Sequence, residues 1–350
     1  MTTAGKNSNL HGAKRAKNDE FYTRLEDIEA EVRHYHDPVI PGMRPKRNPF
    51  RGKVVYLNCD DPQWSNFWAF FALKFDELEL AELISTHYEA DGSPSYAMFL
   101  DRTADGTRND YGTGERGIPK GRIESLEENG DFRSQECVGL LQRSDIVVTN
   151  PPFSLFREYV AQLMEYEKKF LIIGSKNAIT YKEIFPLIKD VKMWIGGRPF
   201  AGGMWFEVPK GAKVDKVVDG KDMGNVPACW FTNLDHKKRH EELELYRKYA
   251  GREDDYPKYD NYDAIEVGKV KDIPYDYDGV MGVPITFLDK FNPDQFEILG
   301  ITDRQNTSGL RTRKYGPSDS PKYNDLNARS VILRNGVLTQ VYARILIRRK

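Results

Sequence analysis

The stretch "SDIVVTNPPFSLF", residues 144–156, joins an apolar, β-branched run to two consecutive prolines and an aromatic residue. β-Branched residues favour strands, and the sequence that follows, residues 154–169, repeats its apolar side chains at helical spacing. The tetrapeptide "NPPF", residues 150–153, is therefore predicted to connect the carboxyl end of a strand to the start of a helix. In open α/β sheets ligands bind at this end of the strands, so the loop is the first candidate for a functional site.

Strands and helices alternate on both sides of this loop. Strands are predicted at "KVVYLN" (53–58), "AELISTHY" (81–88), "RIESL" (122–126) and "FLIIG" (170–174), and helices at "SNFWAFFALKF" (65–75) and from Ser134 to Leu141. This rhythm is typical of βαβ units, so the predicted fold class is α/β, with a mostly parallel sheet and helices on both faces. Aromatic runs after residue 190, such as "GGMWFEV" and "ACWFTNL", are predicted to add antiparallel strands that complete the sheet.

Three segments depart from this rhythm. Residues 1–18 are polar and basic, with no hydrophobic period, and are predicted to form a flexible arm. Residues 90–121 are rich in Gly, Asp, Arg and Thr and are predicted to form a long loop or insertion. Residues 236–250 are predicted to form a charged helix, and "HKKRH" at its start is interpreted as solvated rather than metal-binding.

The composition indicates a soluble globular protein. Apolar residues make up 39% of 350, which suffices for a sizeable core. No run approaches the roughly 18 uncharged apolar residues of a membrane helix, and the N-terminal sequence lacks the apolar centre of a signal peptide, so a cytoplasmic location is expected. The three cysteines, Cys59, Cys137 and Cys229, form no C-x-x-C pair, which argues against disulfides and against a zinc site; no metal is expected.

Positive charge is concentrated at the two ends of the chain. Residues 304–350 hold eleven lysines and arginines against two acids, a local balance of +9, and the first 18 residues carry +4. Because the whole chain has a net charge of −1, the segment between them carries −14. Such asymmetry suggests an anionic polymer as partner, while the alternative is a pair of solvated tails.

The NPPF loop suits methyl transfer to a nitrogen atom. Consecutive prolines hold the backbone stiff and leave its carbonyls without competing N–H groups. The side-chain oxygen of Asn150 and the carbonyl of Pro151 can accept both hydrogens of an aromatic amine, which directs the nitrogen lone pair at an electrophile. Pro152 completes the rigid turn, and Phe153 can stack on the ring that carries the amine. The alternative is an ordinary turn at the end of a strand.

Six blocks of the sequence, in one order, resemble the EcoRI-type DNA adenine-N6 methyltransferases. The likeness spans almost the whole chain, except roughly residues 37–51 and 90–121. The blocks are "KNDEFYTRLEDIEAEV", "VVYLNCDDPQWSNFWAFFALKFDEL", "GDFRSQECVGLLQRSDIVVTNPPFSLFREYVAQL", "KKFLIIGSKNAITYKEIFPLIK", "YPKYDNYDAIEVGKVKDIPYDYDGVMGVPITFLDKFNPDQFE" and "RILIRRK". The resemblance implies the Rossmann-like fold of S-adenosylmethionine-dependent methyltransferases, together with DNA-recognition elements.

The resemblance also implies S-adenosylmethionine as methyl donor and places its contacts. Phe21, Tyr22 and Thr23 match a segment near the methionine end of the donor, although Thr23 could instead cap the helix that follows. Asp131 matches the acid that accepts from the donor's adenine amine, and Phe132 would pack on that ring. The residues after the first strand that could contact the donor are Asn58, Asp60 and Asp61. The loop they form lacks the glycines usual there, which makes backbone approach harder.

The expected partner is double-stranded DNA, from which the target adenine is flipped out of the helix. Lys14, Arg15 and Lys17 are expected to contact phosphates, residues 19–250 to form the catalytic domain and residues 251–350 a C-terminal recognition region packed on it. A monomer is expected, related in function to a restriction endonuclease but without a stable complex. The alternatives are an N-methyltransferase for RNA or protein glutamine and a catalytically silent DNA-binding protein.

Overall fold

The computed structural model describes residues 22–38, 46–59, 61–208, 213–305 and 309–350. The contacts within the chain divide it into two units. The first contains the described residues up to Lys176, together with Gly196–Arg198 and Gly202–Asp235. The second contains Asn177–Ile195, Pro199–Ala201 and the described residues from His236 to Lys350. No helix in these ranges is long and apolar enough to cross a membrane.

The regular elements are mostly short. The strands are β1 (Tyr22–Thr23), β2 (Val54–Leu57), β3 (Glu82–Thr86), β4 (Tyr96–Asp101), β5 (Arg122–Ser125), β6 (Ile146–Thr149), β7 (Lys169–Ser175), β8 (Trp194–Ile195), β9 (Met204–Glu207), β10 (Lys216–Val218), β11 (Lys221–Val226), β12 (Ala228–Thr232), β13 (Ile265–Glu266), β14 (Met281–Pro284), β15 (Phe296–Ile301), β16 (Val331–Arg334), β17 (Val337–Gln340) and β18 (Arg344–Arg349). The α-helices are α1 (Leu25–Val32), α2 (Asn66–Leu73), α3 (Gln135–Arg143), α4 (Phe156–Glu165), α5 (Phe185–Lys189) and α6 (Tyr323–Leu326).

The large sheet of the first unit is mixed rather than mostly parallel. Its strands follow the order β5-β4-β3-β2-β6-β7-β12. The four central strands, β3, β2, β6 and β7, are parallel, whereas β4, β5 and β12 run antiparallel to their neighbours. The prediction of a mostly parallel sheet holds for the centre only. In the described chain no α-helix lies between β3 and β4 or between β4 and β5, and such connections permit antiparallel pairing.

The elements predicted around the NPPF loop are confirmed. Helices α2 and α3 begin where serine side chains accept hydrogen bonds from the first turn: Ser65 from the amide of Phe67, and Ser134 from the amide of Cys137. Helix α4 begins at Phe156 and ends at Glu165, four residues earlier than predicted. The loop thus lies between β6 and α4, with residues 153–155 forming one 3₁₀ turn.

Residues 90–121 contain a strand where the sequence predicted only a loop. Strand β4 pairs antiparallel with β3, and its central side chains, from Ala97 to Leu100, are buried. The apolar run "YAMFL" is the signal for this strand, but the polar sequence on both sides of it hides the pattern. The insertion is therefore shorter, and the sheet wider, than predicted.

Residues 236–250 do not form the predicted helix. Only Lys237–His240 makes a 3₁₀ turn, and no helix or strand follows it up to residue 250, all of which the structure describes. The backbone beyond the turn bonds to other segments: the amide of Leu243 donates to the side chain of Gln295, and the amide of Tyr249 to the carboxylate of Asp276. Apolar residues recur at helical spacing within the segment, but these bonds to other segments take the place of those of a helix.

The segment "GGMWFEV" does not join the large sheet as predicted. Strand β9 lies between β1 and β11 in a separate four-stranded sheet, where Thr23 faces Phe206. The other aromatic segment behaves as predicted, because β12 pairs antiparallel with β7.

The second unit has its own four-stranded sheet, in the order β13-β14-β18-β15, and a separate hairpin of β16 and β17. The end of the chain, "RILIRRK", forms β18 between β14 and β15. Ile345 and Ile347 are fully buried there, so this strand belongs to the core of the unit.

Candidate active site

Two neighbouring parallel strands bring Asn58 and Asn150 to the same edge of the sheet. In β2 and β6, Val55 faces Ile146, and each strand is followed at once by its asparagine. The hydroxyl of Thr149 donates to the backbone carbonyl of Asn58, which joins the two loops directly. The carboxyl edge of the sheet therefore carries both the NPPF loop and the loop of residues 58–61, which is predicted to contact the methyl donor and is called the donor loop below.

The side chain of Asn58 is buried and only partly satisfied. It is 1% exposed, and its Oδ1 accepts a hydrogen bond from the hydroxyl of Tyr159 in α4. Its Nδ2 has no hydrogen-bond partner among the described residues. Leaving a buried donor unsatisfied costs about 1–3 kcal/mol, so this amide is a candidate to donate to a bound molecule.

The two prolines of the NPPF loop differ in the hydrogen bonding of their carbonyls. The carbonyl of Pro152 accepts from the amide of Leu155 at 3.0 Å. The carbonyl of Pro151 accepts no hydrogen bond from the part of the chain that the structure describes. Phe153 is half-buried and packs against the main hydrophobic core, which holds its ring in place. The carbonyl of Pro151, which is predicted from the sequence to accept from an amine, is therefore available. The role of Asn150 as the second acceptor stays a prediction.

Cys59 provides the turn for which the sequence offers no glycine. Its φ of 73° lies in the left-handed region that glycine usually adopts, immediately after Asn58. The donor loop therefore bends sharply without a glycine. Asp60, the next residue, lies outside the described residues.

Asp61 is held by two aromatic residues from neighbouring strands. The hydroxyl of Tyr96 donates to its Oδ1 at 2.7 Å, and Nδ1 of His87 lies 3.3 Å from its Oδ2. Burial and the hydrogen bond to Asp61 raise the pKa of Tyr96, so its hydroxyl keeps its proton. The other ring nitrogen of His87 lies 3.0 Å from Oε1 of Glu89. Neither His87 nor Glu89 was predicted from the sequence, although both lie within three residues of the end of β3, at the carboxyl edge of the sheet.

Gly130 allows the "GDF" segment to approach β3 closely. It has a φ of +78°, and a Cβ at this position would lie 1.8 Å from the carbonyl oxygen of His87. Only glycine fits such a contact, so the position of the backbone next to Asp131 depends on the absence of a side chain at residue 130.

Asp131 keeps its charge through a neighbouring arginine. Nη2 of Arg133 donates to Oδ2 of Asp131 at 2.6 Å, and its Nε donates to Oδ1 at 2.8 Å. This hydrogen bonding to Arg133 lowers the pKa of the Asp131 carboxyl, which is therefore ionised at neutral pH. An ionised carboxylate can accept from an amine and from Arg133 at once, because each oxygen has two lone pairs.

Phe132 is fixed by two residues of α4. Its buried ring meets that of Tyr159 edge to face, with centroids 5.1 Å apart, and its backbone carbonyl accepts from Nε2 of Gln162 at 3.0 Å. Oε1 of Gln162 is buried and has no partner within the described ranges. Tyr159 thus links Phe132 to Asn58. Tyr159 is one of the apolar side chains that recur at helical spacing through residues 154–169, and nothing in that pattern marks its polar contact.

The Tyr22–Thr23 strand adjoins the start of α2. Nδ2 of Asn66 donates to the backbone carbonyl of Thr23 at 2.8 Å. The Thr23 side chain is buried, and its hydroxyl has no partner among the residues described. Thr23 does not cap α1, because Arg24 occupies that position and offers no side-chain cap. Tyr22 is 48% exposed, and Phe21 lies outside the described residues.

The phosphate-contact residues predicted in the arm, Lys14, Arg15 and Lys17, also lie outside the described residues. Within the described ranges, no group of three or more His, Cys, Asp or Glu side chains is arranged to hold a metal ion. The candidate site therefore consists of the donor loop, the "GDF" segment, the NPPF loop and the inner face of α4.

Comparison with protein families identifies the class. Residues 9–350 match the family model described as "Adenine-specific methyltransferase EcoRI", and a match over nearly the whole chain shows an adenine-specific methyltransferase. More particularly, the chain belongs to the EcoRI methylase family, as the six sequence blocks predicted.

Three curated relatives cover most of the chain. Type II methyltransferase M.EcoRI of Escherichia coli is 48% identical over 85% of this chain and 90% of its own length. Type II methyltransferase M.MpnI of Mycoplasma pneumoniae is 42% identical over 82% and 83% of the two chains, and M.MgeORF184P of Mycoplasma genitalium is 35% identical over 82% and 84%. No solved structure matches the chain.

Proposed function

We propose that this adenine-specific methyltransferase transfers the methyl group of S-adenosylmethionine to N6 of adenine in duplex DNA. Its role would be that of the cytoplasmic modification enzyme of a type II restriction-modification system. The observation that carries the proposal is the NPPF loop at the carboxyl edge of a parallel sheet, with the Pro151 carbonyl available as an acceptor. The names of the three relatives support the type II assignment.

The loop can activate an amine that is otherwise a poor nucleophile. The lone pair of adenine N6 is delocalised into the ring, and two acceptors on its hydrogens favour a tetrahedral nitrogen. Asn150 and the Pro151 carbonyl would supply these acceptors, while Phe153 clamps the flipped base. Packing of Phe153 against the core reduces the entropy lost when the base stacks on it.

The buried polar atoms of the site suit a bound donor. When bound, S-adenosylmethionine supplies a methyl group already activated on a positively charged sulfur. Asp131 would accept from the adenine amine of the donor, and Phe132 would pack on its ring. Asn58 Nδ2 and the hydroxyl of Thr23 are buried without partners in the described chain, as expected of groups that a ligand completes. The remaining proposed contacts are Phe21, Tyr22, Asp60 and Asp61.

We further propose a Rossmann-like donor-binding fold with helices on both faces of the sheet. Residues 19–250 would carry catalysis and residues 251–350 DNA recognition. The enzyme would act as a monomer, since one active site suffices to modify one strand at a time. A restriction endonuclease would share its target without a stable complex.

A transfer assay distinguishes this function from its alternatives. The full chain is incubated with labelled donor and, separately, with duplex DNA, RNA and a protein mixture. Label on adenine N6 of duplex DNA alone supports the proposal. Label on RNA or on glutamine would indicate the alternative N-methyltransferase, and no label on any of the three would indicate a silent DNA-binding protein.

Asp131→Ala is expected to weaken donor binding by roughly 1.5–3 kcal/mol, because a buried amine loses a charged acceptor. Titration calorimetry with S-adenosylmethionine measures the change, and the DNA affinity of the donor-free protein should stay the same. Glu158→Ala is the matched control, since Glu158 contacts the same Arg133 at 3.4 Å. Equal donor affinities in both variants would remove Asp131 from the donor site.

Deleting residues 1–17 is expected to weaken binding to every DNA sequence alike. The slope of log affinity against log salt should fall by up to about 0.9 for each phosphate that the shortened protein no longer neutralises, while site preference survives. A full-length variant with Lys14, Arg15 and Lys17 changed to glutamine should reproduce the effect if charge is its cause. Full affinity with an unchanged salt slope in both proteins would show that the N-terminal segment is a solvated tail.

A further inference from the structure

The hairpin of β16 and β17 closes with a two-residue turn. Arg334 faces Val337 in the last strand pair, so only Asn335 and Gly336 form the turn. Both have positive φ, 49° and 78°, as a type I′ turn requires. Asn-Gly is the sequence most suited to this turn, so the tip has a defined conformation.

Along β16, burial depends on distance from the base of the hairpin and not on the face of the strand. A hairpin lying on a core would alternate between buried and exposed residues. Here Val331 and Ile332, on opposite faces, are both buried, whereas Leu333 and Arg334, again on opposite faces, are both exposed. Val337 is exposed on the returning strand. The hairpin tip, residues 333–337, is exposed throughout and therefore projects into solvent, by about 7 Å for two residues of strand.

The base of the hairpin is firmly held. Asn261 is fully buried; its Oδ1 accepts from the amide of Val331 at 2.9 Å, and its Nδ2 donates to the carbonyl of Arg329 at 2.8 Å. Ile332 packs in a buried cluster with Tyr259 and also bridges to its backbone. A rigid base with an exposed tip is the arrangement of an element that inserts into a partner rather than one that supports the core.

We infer that the hairpin tip enters a groove of duplex DNA, where Arg334 and Asn335 contact the edges of the bases. The inference rests on the proposed function, and it names the element that would give the enzyme its sequence preference. A two-stranded ribbon fits the major groove, which is about 8.5 Å deep. Arginine pairs with guanine and asparagine with adenine through paired hydrogen bonds, while an exposed apolar side chain such as Leu333 suits the methyl group of thymine.

Charge favours DNA over a protein as the occupant. The hairpin lies within residues 304–350, whose balance is +9. Arg334 makes no ion pair or hydrogen bond with any residue that the structure describes, so its five donors are available. By contrast Arg313 in the same segment is engaged by Asp260 and Asp319. The alternative occupant is a second copy of the chain, held by the exposed Leu333 and Val337.

The test compares binding to two duplexes at one salt concentration. A pool of randomised duplexes is first methylated by the unmodified protein with labelled donor, and sequencing of the labelled molecules gives the preferred site. The affinity ratio between that site and a scrambled duplex is then measured for Arg334→Gln and Asn335→Gly. Glycine keeps the positive φ of residue 335, so the second variant removes only the amide. Lys322→Gln, an exposed cation outside the hairpin, is the charge-matched control.

Each hairpin variant is expected to lower the ratio about 5- to 150-fold, with little change on the scrambled duplex. Lys322→Gln should leave the ratio unchanged, and all three variants should bind donor as the unmodified protein does. An unchanged ratio in both hairpin variants would overturn the inference while leaving the methylation of DNA intact. A shift from dimer to monomer in sedimentation, with the ratio unchanged, would overturn it in favour of a contact between copies. Absence of methylated DNA with the unmodified protein would overturn the proposed function itself.

Discussion

Asn150→Ala is expected to lower the single-turnover rate of methyl transfer about 10²–10³-fold, which corresponds to the loss of one preorganised acceptor at the reacting nitrogen. Donor affinity should be unchanged, because Asn150 would orient the amine and not the donor. Rapid-quench measurement on a duplex that the unmodified protein methylates gives the rate, and calorimetry with S-adenosylmethionine gives the affinity. Near-normal transfer by the variant would remove Asn150 from the mechanism.

Asn150→Asp distinguishes an acceptor from a merely structural side chain. Aspartate keeps an oxygen at the same distance from the backbone, so it should recover part of the rate lost in the alanine variant. If the Asn150 side chain served only to end β6, the aspartate variant would not transfer methyl groups faster than the alanine variant. The change to aspartate would then disturb the hydrogen bonding of the side chain as well as its charge. Equal rates for the two variants would therefore contradict the assigned role.

Elements with a strong local pattern were predictable from the sequence. The strand before the NPPF loop, the helix after it and the buried "FLIIG" strand lie within a few residues of their predicted positions. The strand at 96–101 was missed because the polar sequence on both sides hides its apolar run. The segment at 236–250 was missed because its structure depends on distant partners: its backbone amides bond to Gln295 and Asp276. Local propensity cannot contain such information.

The loops of the candidate site were predictable from the sequence, but the hydrogen bonds that connect its residues were not. Asn58 and Asn150 follow apolar strands, so their common edge follows from the parallel pairing of β2 and β6. The bond from Tyr159 to Asn58 joins residues 101 positions apart, and no sequence period indicates it. Cys59 illustrates the same limit, because its positive φ contradicts what its residue type favours. The surrounding contacts of Asn58 hold the loop in this shape.

Gly130→Ala and Gly139→Ala are expected to have opposite effects on stability. At Gly130 alanine would be forced into a left-handed conformation and would meet the His87 carbonyl at 1.8 Å, so the free energy of unfolding should fall by about 2–5 kcal/mol. At Gly139, within α3, a Cβ meets nothing within 4 Å, and the gain in helix propensity should stabilise the protein by up to about 1 kcal/mol. Urea denaturation measures both changes.

The same pair of variants tests whether the close approach at Gly130 serves donor binding. Displacing the backbone at Gly130 moves both the carbonyl of His87, whose ring contacts Asp61, and the adjacent Asp131. The folded fraction of Gly130→Ala should therefore bind S-adenosylmethionine more weakly than the unmodified protein, whereas Gly139→Ala should bind it equally well. Calorimetry at a temperature where both variants are folded separates affinity from stability. A destabilised Gly130→Ala with full donor affinity would show that this contact supports the fold alone and that Asp131 is placed by Arg133 independently of it.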